Sequence, residues 1–340
     1  MTGATTDGVL RSGGGPYFDD LVIGDVFRSP ASTLTAGHAA IHQAILGDRM
    51  PTALDRQLGR AVFGTSGPPA HTGLVIDVAI GQSSVVTRRV KANLFYRGLQ
   101  LHRIACLGDT LHTRTEVVGL RQNRLREDRP STGLVVLRIR TSDQEQRKIL
   151  DFYRCAMLPL RDPAGTTDHA DDLDAVSGEL DLMALETQVA SWNLAPLREA
   201  VDGPHAQDLS SGDRWVVEDG DIVSAAPELA RLTLNLAAVH HDHRAGTDGT
   251  RLVYGGHTIG LAATQAARCL PAMACIVAWR ACDHTHPVRE EDTLTSELEV
   301  KAIDRLPAGG AIAELRSRAH TDRDRERVTV LDWRFLAVLA

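Results

Sequence analysis

LGDTLHTRTEVV (residues 107–118) and EEDTLTSELEV (290–300) are two spellings of one strand. Each opens on Asp-Thr and then alternates apolar or small side chains with polar ones, the period of a strand covered on one face. The correspondence extends outward. IGDVF (23–27) answers to SGDRW (211–215), and the pair LVVLRIRT and KILDFYRCAMLP within 134–159 answers to IAELRSRA and TVLDWRFLAVLA within 312–340. Asp213 stands 188 positions after Asp25, Asp292 stands 183 after Asp109, and Asp332 stands 181 after Asp151. The order is kept while the offset drifts by a few residues, so the chain is one domain written twice with small deletions.

Within each copy a short opening strand leads to a variable helical stretch, then an apolar helix, then long alternating strands. The polar turn TSDQEQR (141–147) separates two alternating runs and predicts an antiparallel hairpin. GLVIDVAIGQSS (73–84) and GHTIGLAATQAARCL (256–270) are apolar on most sides, which predicts buried helices. Together these predict an α+β fold, with a buried helix wrapped by an antiparallel sheet in each half. The expected boundaries are a disordered lead-in over 1–16, an N-terminal unit over 17–160, a linker over 161–205 rich at first in Asp, Gly and Thr, and a C-terminal unit over 206–340.

The 340 residues carry a net charge of -7, and their 37 basic residues are spread without a Lys/Arg block. That argues against nucleic acid or an anionic membrane as the main partner. The opening MTGATTDGVLRSGGGP lacks the apolar core of a secretory leader, and no run approaches the ~18 apolar residues of a membrane span. Five cysteines without a CxxC pair fit reduced thiols, and with them a cytoplasmic, soluble protein.

The densest chemistry lies in LNLAAVHHDH (234–243), with His240, His241, Asp242 and His243 in a row, and in the pair His284 and His286 of DHTHP. Adjacent His240 and His241 point to different faces of any regular element, and the spacing matches no zinc pattern, so no metal site is expected.

The order GD, variable helix, HxD segment, Gly-led helix, GDT strand and closing hairpin resembles the MaoC-like, or hydratase 2, group of hotdog-fold acyl-CoA hydratases and dehydratases. The resemblance spans both copies and implies a tandem (double) hotdog. GLRQN (119–123), the VHHD stretch (239–242) and VYGGH (253–257) look most like its mesaconyl-CoA hydratase branch. The family pattern GDxNPxH places an Asp and a His five residues apart, around the water that adds to an enoyl thioester. The first copy keeps Gly47, Asp48 and Pro51 but has Ala53 at the His position. The second has His240, with Asn235 at the acid position and Ala237 at the Asn position, as the NxAxVH pattern of the mesaconyl-type branch does. The resemblance therefore implies that the second copy works and that the first shapes the acyl pocket.

Hydrating an enoyl thioester requires a base for water and donors for the charge developing on the thioester oxygen. His240 has the intrinsic pKa of such a base, and the carbonyl of Asn235 could orient the water. A free N–H at a helix start suits an oxyanion; the family match assigns that role to Gly256, with Gly73 as its counterpart in the first copy. Asp48, Tyr254 and Gly255 are the further expected substrate contacts. Arg97 in FYRG and Arg280 in AWRA, equivalent in the two copies, are the candidate cations for coenzyme A phosphates. No cofactor is expected beyond the coenzyme A of the substrate, and the chain is expected to be a monomer or a homodimer. Three alternatives stay open at this point: an acyl-CoA-binding protein with a degenerate site, a thioesterase using Asp48, and a partner subunit of a larger assembly.

Overall fold

The computed structural model describes residues 13–340 except 177, 247, 248 and 324. Most of the lead-in, residues 1–12, lies outside the described residues. Gly15, at its end, accepts a hydrogen bond from Arg89 Nε through its carbonyl at 2.8 Å.

The strand pair that opened the sequence occupies Thr110–Gln122 and Thr293–Arg305. Leu111, Thr113, Thr115 and Val117 are buried in the first, and Leu294, Ser296, Leu298 and Val300 in the second, so the two copies hold the same phase. Among the described residues the strands form one antiparallel sheet. Its order is Val26–Arg28, Thr110–Gln122, Thr132–Ser142, Lys148–Pro159, Ala92–Leu101, Met273–His284, Glu326–Leu339, Ala311–Arg323, Thr293–Arg305 and Arg214–Ile222, with Ser32–Thr33 beside Thr110–Gln122. The halves are therefore continuous. Their seam is Ala92–Leu101 against Met273–His284, where Arg97 faces Ala281 and Leu99 faces Trp279.

Each half wraps its sheet around a helix, Thr72–Ser83 in the first and Gly255–Cys269 in the second, one residue earlier than the sequence predicts. Eleven of the twelve residues of the first helix are buried, as a helix apolar all round must be. The helices also tie the halves together. Thr264 Oγ1 donates to Leu46 O at 3.0 Å, and Ser84 Oγ and Arg88 O accept the backbone N–H groups of Leu236 and Ala238 at 2.7 and 3.0 Å. The stretch with Asn235 and His240 is thus strapped to the end of the other half's central helix.

The expected linker is folded. It carries helices Leu182–Ala190 and Ala195–Ala200, whose Leu185, Val189 and Leu197 enter the common core, and Trp192 meets Phe63 edge-on at 4.7 Å. Its polar opening masked this, because the apolar residues arrive only in its second part. Among the described residues no helix is long and apolar enough to cross a membrane. All five cysteines are unpaired.

Candidate active site

Local hydrogen bonds shape the second-half motif. Leu234 takes a left-handed turn (φ 61°), and Asn235 Oδ1 then accepts the N–H of Ala237 at 2.9 Å, an Asx turn. The carbonyl expected to orient water therefore commits one lone pair to the backbone, and its second lone pair and the Asn235 amide nitrogen remain for anything beside them. A short 3-10 turn, Ala238–His240, delivers the imidazole. His240 Nδ1 lies 2.8 Å from Leu252 O; a carbonyl only accepts, so Nδ1 carries the proton and Nε2 has the lone pair. Burial pushes the His240 pKa down to about 4, with the Arg154 and His241 charges acting the same way against the Leu252 bond. The neighbouring polar residues serve the loop. His241 Nε2 donates to Asn235 O at 2.6 Å, and Asp242 caps Arg244 N at 2.9 Å while pairing with its guanidinium.

Asn235, His240, Tyr254 and Gly255 line one cavity of about 430 Å³. Tyr254 sits beside His240, ring centroids 5.7 Å apart, and its hydroxyl donates to Asp77 Oδ1 of the first half at 3.1 Å. The opposite wall comes from the first half: Asn93 and Tyr96 on one strand and Arg154 on the next. The first copy does shape this pocket, but through its strands and not through Asp48 or Gly73.

The glycine facing the cavity is Gly255, which begins the helix, and not Gly256. A Cβ on Gly255 would meet His284 Nε2 at 2.7 Å beside the cavity, whereas one on Gly256 would collide with Asp77 Oδ1 in the inter-helix packing. One residue along a helix turns a group by about 100°, so the two glycines at the helix start face the cavity and the inter-helix packing in turn. Gly255 N–H is among the first four of its helix, without an intrahelical partner and at the positive end of the dipole.

In the first half His71 Nε2 lies 2.8 Å from Asp48 Oδ2, and His71 Nδ1 accepts Gly73 N–H at 3.0 Å, which leaves the ring proton on Nε2, facing the carboxylate. Gly73 N–H is therefore occupied and does not mirror the proposed oxyanion donor. Burial opposes charge on Asp48, yet His71 holds its carboxyl below the usual carboxylate range. His42 Nε2 lies 3.3 Å from Asp77 Oδ2 nearby. Between this motif and the opposite sheet only about 30 Å³ remains, closed by Ile276, Trp279 and Trp333; Asp48 itself lines a separate outer pocket of about 220 Å³. Asp48→Asn should weaken the contact that the carboxylate makes with His71 Nε2 and destabilise the fold by ~2 kcal/mol. A fall in the urea midpoint at unchanged m-value reports it.

Arg97 and Arg280 do not reach the cavity. Each follows an inward aromatic, Tyr96 or Trp279, and successive strand residues point to opposite faces. They pair on the outer face, Arg97 with Asp283 at 2.6 Å and Arg280 with Glu314 at 2.7 Å. The cations lining the cavity are instead Lys91, Arg154 and Arg289. Arg154 had a legible signal: it shares the face of Leu150, Phe152, Ala156 and Leu158, a charge in a core register.

The tandem hotdog, with an imidazole and a helix N-terminus facing one cavity in this chain, is the fold it shares with its structural relatives. The chain belongs to the MaoC-like double-hotdog family. It is 49% identical, with a TM-score of 0.89, to a conserved hypothetical protein of Mycobacterium tuberculosis described as a double hotdog, over 96% of this chain and 99% of that one. Among curated proteins it is 29% identical to β-methylmalyl-CoA dehydratase of Chloroflexus aurantiacus, over 92% of this chain and 89% of that protein. It is 27% identical to mesaconyl-CoA hydratase of Cereibacter sphaeroides, over 89% of each. A MaoC-domain dehydratase structure from Chloroflexus aurantiacus, 24% identical with a TM-score of 0.83 over 97% of this chain and 99% of that one, shares the fold. No family model matches the chain.

Proposed function

We propose that this chain hydrates a 2-enoyl-CoA thioester and catalyses the reverse dehydration, on a mesaconyl-like or otherwise branched short acyl group. The observation that carries the reading is His240: an imidazole locked by Leu252 O into the tautomer that presents Nε2 as a base, in a cavity shared with the Gly255 helix start. Nε2 takes a proton from water as the water oxygen bonds to the β-carbon. The π electrons pass to the thioester oxygen as an enolate, held by Gly255 N–H, and the imidazolium then returns its proton to the α-carbon. One base serving one face makes the addition syn. The Asn235 amide nitrogen can hold the water oxygen but takes no proton at neutral pH, so the proton traffic rests on His240. No cofactor enters this scheme, because coenzyme A arrives and leaves with the substrate. The two halves already pair within one chain, which suits a monomer or a dimer of chains, and unpaired thiols suit the cytoplasm.

The test follows the enoyl-thioester absorbance over a panel of linear and branched 2-enoyl-CoAs. Loss of absorbance with at least one member is expected, and its absence with all would overturn the reading. Saturable binding without turnover would instead mark an acyl-CoA-binding protein, and release of free thiol a thioesterase. The pH dependence is a second check. The free enzyme must hold His240 neutral, and burial has lowered its pKa to about 4, so kcat/KM should stay level as pH falls through 6.5 and drop only near 4.

A further inference from the structure

The pair His284 and His286 of DHTHP, unused in the hydration scheme, divides its two imidazoles between the sheet and the cavity. His286 Nδ1 lies 2.7 Å from Thr329 O. Thr285 donates to Thr329 O through Oγ1 at 2.6 Å and to Val330 O through its N–H at 3.1 Å, so the end of strand Met273–His284 is tied to its neighbour. Asp283 turns to the outer face, where it meets Arg97 at 2.6 Å, and His284, the next residue, turns inward. There it lines the cavity of His240, with the Tyr96 ring edge-on at 6.0 Å.

His284 Nε2 is buried and has no hydrogen-bond partner among the described residues. Such a nitrogen is costly unless something fills it. The described residues lining the cavity include no Asp or Glu, and Asn93 Oδ1 already receives Arg154 Nε at 2.6 Å. The position of the ring is specific. The Cβ that Gly255 lacks would stand 2.7 Å from Nε2, and a Cβ is two bonds from its own residue's nitrogen, so Nε2 and Gly255 N are no more than about 5 Å apart. Two donors that each lie about 3 Å from one oxygen can stand up to ~6 Å apart, so a single acceptor can take both.

The ring is also in the state of a donor. Burial, and then the Arg154 charge, push its pKa down to about 4, so near neutral pH it is uncharged and carries one proton. Nothing bonded to Nε2 fixes its state, and an acceptor beside it selects the Nε2–H tautomer. The first half has no equivalent. At the offset of 183 that relates Arg97 to Arg280, His284 corresponds to buried Leu101, and Gly73 N–H is taken by His71.

We propose that His284 is a second oxyanion donor, whose imidazole N–H and the Gly255 N–H together hold the thioester oxygen as the enolate develops. The assignment rests on the hydratase reading for its effect on turnover and is separable from it in the spectrum of a bound, unreactive thioester. A neutral imidazole donates a hydrogen bond but is a poor acid, so the proton stays on Nε2 while His240 handles the transfers to and from water and the α-carbon. The two imidazoles then serve one substrate in opposite senses, His240 by a lone pair and His284 by an N–H.

The experiment measures kcat and KM on the best substrate of the enoyl-CoA panel for His284→Leu, which installs the residue type of the first half, and for His284→Gln, whose amide keeps a donor. His284→Leu should lower kcat by roughly 10²-fold and change KM only a few-fold, and His284→Gln should recover about tenfold of the loss. Beside this, butyryl-CoA labelled with carbon-13 at its thioester carbonyl, which cannot be hydrated, is bound and read by isotope-edited infrared spectroscopy. On wild type the carbonyl band should fall below its frequency in solution, and on His284→Leu it should return part of the way. Wild-type kcat in a folded His284→Leu protein overturns the proposal. So does a loss of kcat that leaves the band where wild type puts it, as a packing role would give, and so does a wild type that leaves the band at its solution frequency or does not bind the probe. Should His284→Leu not fold, His284→Phe, a ring without a donor, takes its place. Should wild type hydrate no enoyl-CoA, the hydratase reading fails on its own, and the carbonyl band decides whether His284 holds the thioester oxygen.

Discussion

His240→Ala lowers kcat for enoyl-CoA hydration by ~10³-fold, within the usual contribution of a positioned acid–base group. The loss should fall on kcat more than on KM, because the imidazole acts on water and the α-proton and not on the bulk of the thioester. The variant should fold: His240 contributes one hydrogen bond, to Leu252 O, worth about 1 kcal/mol. Stopped assays of kcat and KM beside a thermal melt separate the two effects. Full activity in a folded His240→Ala protein would remove the imidazole from the chemistry.

Gly255→Ala should cost ~10²-fold in kcat, on the scale of losing one oxyanion donor. The added Cβ would meet His284 Nε2 at 2.7 Å and Cε1 at 2.9 Å, closer than such atoms approach, so either the ring or the helix start must move. Both movements intrude where a thioester oxygen would approach the N–H. Gly256→Ala is the instructive contrast. Its Cβ collides with Asp77 Oδ1 and the Tyr254 ring, so it should lower the melting temperature more than Gly255→Ala does. Activity loss without stability loss at 255, and the converse at 256, would separate the donor from the packing glycine; the reverse pattern would return the donor role to Gly256.

The duplication made the fold legible. Strand phase, hairpins and central helices all follow from period-2 alternation and apolar runs, and the two copies check each other. Asn235 and His240 were legible as a spaced pair, since a five-residue separation is local. What sequence left obscure depended on angle or on distant partners. Gly255 and Gly256 differ by one helical step, Arg97 and Arg280 turn on which face of a strand they occupy, and the Asp48–His71 pair joins residues on separate loops. The role of the Asn235 carbonyl was hidden because an Asx turn and a water-orienting amide use the same residue. Arg154 came nearest to being readable, as an arginine in a core register whose repeat counterpart is a phenylalanine.

The continuous sheet gives each cavity one parent for its chemistry and another for its far wall. His240 looks out at strands of the first half, and His42 and His71 face a wall of second-half aromatics. After such a duplication neither copy can drift privately, for a change in one is inherited by the pocket of its sibling. With Ala53 in the place of an imidazole, the aromatic filling of the second half has nothing left to obstruct, while the first half's strands stay answerable to the surviving site. The chain is then less two enzymes in series, one retired, than a single site whose specificity and reactivity are kept in separate copies of the same ancestral text.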